Sequence, residues 1–522
     1  MTTNVKKIII VGGGSAGWMT AATLASQLKS VEIKVVESPN IPTVGVGEST
    51  VGGVRAWLRM VGIQDHDFVK HTDASYKLAI KFNNFYTKDS GSWYYPFGEP
   101  VFENCIHKRD DWFIKKTLYP DTPSSDYVDC YYPQMALVNN NKMVVDHVDL
   151  KGFNFYNDTA FHFDAAKLGI WLRDTFCKNL GVEHISAEVV ECLQNHNGIQ
   201  KIILDNNTEH TADLFVDCTG FSSLLLGKTL DVPFNSYEHI LPNNRAWATR
   251  VQYTDKETQL DSVTDCTALD NGWVWNIPLW SRIGTGYVYS DKFINPEDAK
   301  KDFIAHLQNK GYSTDNCEFK DIKMRVGIHE KLWVKNVVAI GLSAAFIEPL
   351  ESTGLLTTHD FATNLVRILS RGNNYSQWDR DEFNLVCEDT FNYWASFVSM
   401  HYALSHRNDS AYWRAATEKS YTNLLPKLSN VQTQGLYFQS IYQKNFVDFL
   451  QDDDGVNCLA AGMNWNANDV TVLNKIFPKH IDKKQEFSKM IDNLELRKQK
   501  WNIAVQSVPS LNQFLFENFY KD

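Results

Sequence analysis

Apolar positions organise the first forty residues into alternating strand and helix. Lys7-Ile8-Ile9-Ile10-Val11 is a short β-branched run of the kind buried in a parallel sheet, and it stops at Gly12-Gly13-Gly14-Ser15-Ala16-Gly17. Residues 18–28 then carry apolar side chains at helical spacing, and Val31-Glu32-Ile33-Lys34-Val35-Val36-Glu37 reads as a second strand. This order predicts a βαβ unit and an α/β fold. Val189-Val190-Glu191-Cys192 and Ile202-Ile203-Leu204 predict a small sheet with turns at residues 195–198 and 205–207. Leu214-Phe215-Val216-Asp217-Cys218-Thr219-Gly220 and Asn336-Val337-Val338-Ala339-Ile340-Gly341 predict two further buried strands, the first returning toward the glycine turn. A helix is expected over residues 357–369, and from about residue 360 the pattern is mostly helical, amphipathic and rich in aromatics.

Gly12, Gly14 and Gly17 fit G-x-G-x-x-G. The first permits a tight turn, the second lets backbone approach a pyrophosphate, and the third allows close helix packing. Glu37, about 20 residues after Gly17, is placed to bind a ribose hydroxyl. The turn-rich segment Ile41-Pro42-Thr43-Val44-Gly45-Val46-Gly47-Glu48-Ser49-Thr50 is either a surface loop or a strap over the cofactor.

At 522 residues the chain is long enough for two or three substructures sharing an interface. A net charge of −11 offers no basic footprint for nucleic acid. No window approaches the roughly 20 apolar residues needed to cross a bilayer, so a membrane-spanning role is not expected. Nine cysteines are scattered singly, without CxxC pairs or Cys/His clusters at metal spacing, which reads as a reducing compartment and no metal site. The first residues run straight into a strand without a signal peptide's apolar region, so a cytoplasmic location is expected.

Gly272-Trp273-Val274-Trp275-Asn276-Ile277-Pro278 puts two indoles on one face of a strand that proline ends, and by itself this reads as core packing. Together with the glycine turn and Phe346-Ile347-Glu348-Pro349-Leu350-Glu351-Ser352-Thr353-Gly354, it resembles the flavin-dependent tryptophan halogenase family. The resemblance runs through most of the chain. It includes Phe161-His162-Phe163-Asp164, Val216-Asp217-Cys218-Thr219-Gly220-Phe221, Gly286-Tyr287-Val288-Tyr289-Ser290, Asn336-Val337-Val338-Ala339-Ile340-Gly341 and His401-Tyr402-Ala403-Leu404-Ser405-His406-Arg407. It implies an FAD-binding, Rossmann-like flavin-monooxygenase fold with a mixed sheet. Residues 1–360 would form the FAD-binding module with interleaved β-rich substrate-contacting segments, and residues 361–522 a mainly helical substrate-site region.

The implied activity uses reduced FAD, O2 and a halide (bromide, chloride or iodide) to make hypohalous acid, which reaches a separate electron-rich aromatic of indole or phenol type through a tunnel. Ser75-Tyr76-Lys77-Leu78-Ala79-Ile80-Lys81-Phe82 supplies Lys77 at the position of the family's essential lysine. An ammonium in a confined apolar site can polarise the O–X bond, and an amine of lowered pKa can carry the halogen. Lys81, one helical turn later, is the fallback and reads as structural. Glu351 matches the second essential residue. It could hold the lysine, orient hypohalous acid or accept the ring proton; the bland reading is a helix-cap partner. The backbone amides of Thr353 and Gly354 match the halide site. The cofactor contacts implied are Gly12, Gly14, Ser15, Ala16, Gly17, Glu37, Val46, Gly47, Glu48, Gly341 and Leu350, and those of the substrate or tunnel are Trp273, Trp275, Ser352 and Phe449. Reduced flavin would come from a separate flavin reductase, and homodimers are common in the family.

The nearest alternative is an FAD-dependent aromatic hydroxylase. Those relatives carry Gly-Asp after the late strand, where this chain has Gly341-Leu342-Ser343. They also bind nicotinamide, whereas Gly284-Thr285-Gly286 lacks a third glycine and a helix. A flavin-binding protein without catalysis is a third reading, against which stand intact Lys77, Glu351, Trp273 and Trp275.

Two departures from the family pattern bear on substrate and cofactor. Free-tryptophan halogenases carry Tyr-Tyr followed by Glu-Phe-x-x-Phe-Trp in the helical part; here the best register gives Phe438-Gln439 and Asn445-Phe446-Val447-Asp448-Phe449-Leu450. The partner of a substrate ammonium has become Asn445 and the stacking tryptophan Leu450, so an aromatic other than free tryptophan is expected. In Arg325-Val326-Gly327-Ile328-His329-Glu330, Ile-His stands where relatives carry a basic residue near the flavin, which implies weak FAD retention.

Overall fold

A computed structural model describes residues 2–41, 47–424, 454–464 and 483–521. β1 (Lys7–Val11) leads through the glycine turn into α1 (Ser15–Gln27), and β2 (Glu32–Glu37) returns parallel to β1, with Ile8 opposite Ile33 and Ile10 opposite Val35. Ile8, Ile9, Ile10 and Val11 are all buried, which a strand covered on both faces requires. The predicted βαβ unit is therefore present.

Next come β3 (Glu48–Ser49), β4 (Ser75–Lys77), β5 (Ala79–Asn83), β6 (Ser92–Pro96), β7 (Ala160–Phe163), β8 (Glu183–Ser186) and β9 (Leu214–Asp217). They are followed by β10 (Arg245–Val251), β11 (Val263–Leu269), β12 (Gly272–Pro278), β13 (Ile283–Tyr289), β14 (Lys320–Lys323), β15 (Trp333–Val334) and β16 (Val337–Ala339). Three sheets built from these strands frame the site. The first is six-stranded, in the order β15-β16-β9-β1-β2-β8, parallel except for β15. As expected, Leu214–Asp217 returns beside β1, pairing Val216 with Ile10. The second runs β14-β10-β13-β12-β11-β5-β6, mixed, with β11 and β5 parallel and every residue of β12 and β13 buried. In the third, β7 lies between β3 and β4, so one central strand carries both the segment after residue 46 and the Lys77 strand.

α2 (Thr353–Leu369) packs against α1, and α3 (Gln377–Ala403) follows behind a capping box of Ser376 and Asp379. α2 starts four residues before the sequence pattern indicates, because Ser352 takes the left-handed conformation (φ 57°) and turns the chain directly into the helix. Among the described residues no helix is long and apolar enough to cross a membrane.

Candidate active site

The three glycines act in three different ways. Gly12 has φ 111°, and a Cβ there would sit 2.2 Å from the Cys218 carbonyl oxygen. A Cβ on Gly17 would sit 1.8 Å from the Gly12 carbonyl oxygen, so that position holds helix against turn. A Cβ on Gly14 would meet nothing within 4 Å. Gly14 caps α1 without a side-chain hydrogen bond, and the open space before the first-turn amides of Ser15, Ala16 and Gly17 leaves room for an anion such as a pyrophosphate. The Ser15 hydroxyl donates to the Ala165 carbonyl at 3.0 Å. Glu37 ends β2 beside Gly13, its Oε2 held by His184 Nε2 at 3.0 Å and Arg173 at 3.5 Å. Gly341 (φ 76°) brings the end of β16 onto α1, where a Cβ would come 2.6 Å from that of Ala16. Gly47 (φ 129°) faces Leu279 and Gly284, and burial together with Asp164 raises Glu48 to about 7. Val46 lies outside the described residues.

Lys77 is fully buried at the end of β4. Its Nζ donates to the Thr50 carbonyl and to Ser352 Oγ, both at 2.9 Å, and lies 5.0 Å from the centre of the Phe97 ring. The Thr50 carbonyl is fixed in turn: the Thr50 amide and hydroxyl both donate to the Phe161 carbonyl at 3.0 Å, and the Phe161 amide donates to the hydroxyl at 2.9 Å. Burial pulls the Lys77 amine down to about 7, and the Glu351 charge opposes it. Lys81 is not one helical turn away. It lies on β5, paired in register with Tyr94 and Asp265, and an extended chain puts it about 13 Å from Lys77. The i+4 reading assumed a helical period where the chain is strand.

Ser352 Oγ donates to Ser49 Oγ at 3.0 Å, Ser49 meets Thr264 Oγ1 at 2.6 Å, and Thr264 meets His162 Nε2 at 2.9 Å. On its other side His162 Nδ1 lies 3.4 Å from Ser75 Oγ, which donates to the Pro278 carbonyl at 2.5 Å.

Glu351 is buried, and its Oε1 lies 2.8 Å from His401 Nε2. His401 Nδ1 contacts the Phe397 and Val398 carbonyls at 3.3 and 3.2 Å, which assigns a proton to Nδ1 and turns Nε2 to the carboxyl. Phe82 and Trp93 enclose the imidazole at ring separations of 4.8 and 5.6 Å. The capping reading of Glu351 therefore fails, since the cap of α2 is Ser352 and makes no side-chain cap bond. That leaves the first-turn amides at Thr353 and Gly354 without a capping side chain, and Thr353 Oγ1 is buried with no hydrogen-bond partner among the described residues. Leu350 is buried, its carbonyl 3.9 Å from Cys266 Sγ.

Trp273 is buried and donates from its indole to Glu348 Oε2 at 3.2 Å. Asn243 and Tyr402 donate to the same oxygen at 2.6 and 3.0 Å, and burial raises the Glu348 pKa. Trp275 lies 6.1 Å from Trp273 between ring centres, its indole over Gly286, where a Cβ would come within 2.2 Å. Phe449 and the divergent stretch 438–450 lie outside the described residues. His329 is buried, bonded to the Val232 carbonyl at 2.9 Å and meeting Arg325 at 3.3 Å. Glu348, Asn243, Thr264 and the roles of His162 and His401 were not assigned from sequence; Glu348, His162 and His401 lay inside matching blocks, whereas Asn243 and Thr264 carried no signal.

A family model described as tryptophan halogenase matches residues 7–487. Tryptophan 6-halogenase ThaL from Streptomyces albogriseolus is 32% identical over 493 residues, covering 89% of this chain and 90% of its own. Tryptophan 7-halogenase RebH from Lentzea aerocolonigenes is 29% identical over 543 residues, 99% of each. Among solved structures, that of apo VirX1 superposes with a TM-score of 0.90 at 35% identity, covering 99% of this chain and 100% of that one. The tryptophan 6-halogenase SttH from Streptomyces toxytricini superposes with a TM-score of 0.82 at 27% identity, covering 98% and 99%.

Proposed function

Because the chain belongs to the tryptophan halogenase family and is therefore an FADH2-dependent halogenase that uses halide and O2, we propose that it halogenates an electron-rich aromatic other than free tryptophan through Lys77. The observation that carries this reading is a fully buried amine held by two hydrogen bonds between the segment after β3 and the start of α2.

Reduced FAD, once bound, supplies with O2 the oxidising equivalents that turn halide into hypohalous acid. The amides after Gly14 would hold its pyrophosphate and Glu37 its ribose, and Gly47, Glu48, Gly341 and Leu350 would border its ring system. The amides of Thr353 and Gly354 hold the halide at the positive end of α2. Trp273, fixed by Glu348, and Trp275 wall the passage from flavin to substrate and keep the aromatic away from the cofactor.

With its amine held at about 7, Lys77 offers both an ammonium and a free amine near neutral pH. The ammonium donates to the oxygen of hypohalous acid and weakens the O–X bond. The electrophilic halogen adds to the ring, the departing hydroxide takes the Lys77 proton and becomes water, and the ring proton passes to the Glu351 carboxylate that His401 orients. The sum is replacement of an aromatic C–H by C–X with release of water.

Asn445 in place of a glutamate removes a charge-assisted partner for an amino-acid ammonium, at a cost of about 3 kcal/mol. A simple indole, a phenol or a larger aromatic scaffold fits better. Bromide and iodide shed their water more easily than chloride and should be preferred. His329 in place of a basic residue supports weak FAD retention.

The test combines the protein with FAD, a separate flavin reductase, NADH, air and bromide over a panel of indole, phenols and free tryptophan, read by mass spectrometry with Lys77→Ala alongside. A bromine isotope doublet that requires Lys77 is expected. A hydroxylated product without bromine, or free tryptophan as the best substrate by kcat/KM, would overturn the reading.

A further inference from the structure

We propose that His162 is a proton-holding partner of Lys77, joined to it through the hydroxyls of Ser352, Ser49 and Thr264. The inference rests on the reading of Lys77 given above. It makes His162 a positioning residue that acts through the lysine.

With Lys77 charged, the chain of contacts has a single direction. Lys77 has only donors when charged, so Ser352 must accept from it at 2.9 Å and spend its own proton on Ser49 at 3.0 Å. Ser49 then donates to Thr264 at 2.6 Å, and Thr264 to His162 Nε2 at 2.9 Å. His162 must therefore be neutral with its proton on Nδ1, toward Ser75, which is itself committed to the Pro278 carbonyl. Lys77, Ser49, Ser352, Thr264 and His162 are all buried, so no bulk water competes for these positions.

The opposite arrangement requires the hydroxyls to rotate, above all Ser49, which must turn its proton to Ser352 where the resting geometry has Ser352 as the donor. If His162 carries two protons, its Nε2 donates to Thr264, Thr264 to Ser49, Ser49 to Ser352, and Ser352 to the lone pair of an uncharged Lys77. The two ends exclude each other, because two protonated ends would turn donors head-on within the chain. Transfer moves one proton per link: the N–H of Lys77 and three O–H bonds break, three O–H bonds and the N–H of His162 form, and the net change is ammonium to amine at one end and imidazole to imidazolium at the other. No electron moves and the charge of the site is constant. Lys77 can thus expose its amine inside a closed site without waiting for solvent.

The groups facing the pair agree with this polarity. Glu351 raises Lys77 against its burial, whereas burial and the Lys77 charge push His162 well below its ordinary value, so the resting proton sits on the lysine. Glu48, on the neighbouring strand, stands near Asp164 and is raised to about 7. The buried Cys266 thiol is held far above neutrality, so it does not titrate near pH 7.

The experiment measures halogenated product per FADH2 consumed from pH 6 to 9 in wild type, Thr264→Val, Thr264→Ser and His162→Gln, with the FAD Kd of each as a check on folding. Thr264→Val and His162→Gln are expected to lower the yield at least tenfold across the whole range, because Lys77 can then exchange its proton only when solvent enters the closed site. Thr264→Ser restores the link and should stay within twofold of wild type. Wild-type yields and profiles in both disrupted variants, with Lys77→Ala inactive, would overturn the relay and leave the lysine's role standing. Halogenation by Lys77→Ala would overturn both. A readout that needs no variant at the relay is the imidazole 15N spectrum: His162 should be the neutral Nδ1–H tautomer in wild type and protonate at higher pH in Lys77→Met. An Nε2–H tautomer in wild type would refute the direction of the chain.

Discussion

Gly14→Val separates cofactor binding from folding. Gly14 has φ −72° and ψ −176°, open to any L residue, and a Cβ there meets nothing within 4 Å. The free protein should lose at most about 1 kcal/mol, the range for exchanges at a helix N-cap. With 522 residues the unfolding entropy is about 1.1 kcal/mol/K on the per-residue average, so the Tm of the free protein falls by about 1 °C. The valine side chain, however, occupies the space over the first amides of α1. Losing two hydrogen bonds to a charged phosphate, at about 1.5–3 kcal/mol each, weakens FAD by about a hundredfold to ten-thousandfold. Flavin fluorescence titration gives the Kd and calorimetry without FAD gives the Tm. Gly17→Ala is the inverse control: its Cβ would collide with the Gly12 carbonyl at 1.8 Å and should destabilise the protein even without cofactor. Retention of FAD within threefold by Gly14→Val would refute that placement of the pyrophosphate.

The remaining predictions follow from the buried polar groups. Between pH 7 and 10.5 the unfolded chain binds a proton at Lys77 that the folded chain has released, so this group makes stability rise with pH across that window and adds a constant penalty below it. Lys77→Met should therefore show an advantage over wild type in unfolding free energy that shrinks by roughly 4 kcal/mol from pH 7 to 10; parallel urea curves at both pH values would contradict it. Glu351→Gln should lower turnover by about a hundredfold or more, the general-base range, while Tm stays within about 2 °C; near-normal rates would remove the carboxylate from the chemistry. Trp273→Phe deprives Glu348 of one of three donors and should cost about 1 kcal/mol, read as a Tm lower by about 1 °C. In equal bromide and chloride, brominated product should dominate by mass spectrometry; a chlorinated majority would mean that halide desolvation does not control selection.

The glycine turn was legible because its chemistry is local: Gly12, Gly14 and Gly17 each meet backbone or open space within one βαβ unit, and only glycine suits the first and third. β12 was legible from its two tryptophans at i and i+2 and its terminal proline. What surrounds Lys77 was not. Thr50, Ser352 and Thr264 come from segments 27 to 275 positions away, and hydroxyl residues leave no periodic trace of which strand they will face. His401 reaches Glu351 only because α3 packs across the sheet, and Glu348 gathers Asn243, Trp273 and Tyr402 in the same way. Lys81 shows the limit from the other side: i+4 spacing has meaning on a helix, and β5 is not one.

The two hydrogen bonds that hold Lys77 differ in how heredity can touch them. A carbonyl at position 50 is written into every codon, so no point mutation there deletes it; substitution can only loosen the Thr50 ties to Phe161 that aim it. Ser352, by contrast, supplies its oxygen from a side chain and can be lost in a single step. Drift should therefore leave the lysine in place while its link to the remaining hydroxyls is the part that lineages gain, lose or exchange, which makes Ser352 rather than Lys77 the informative position when relatives with different aromatic substrates are sequenced.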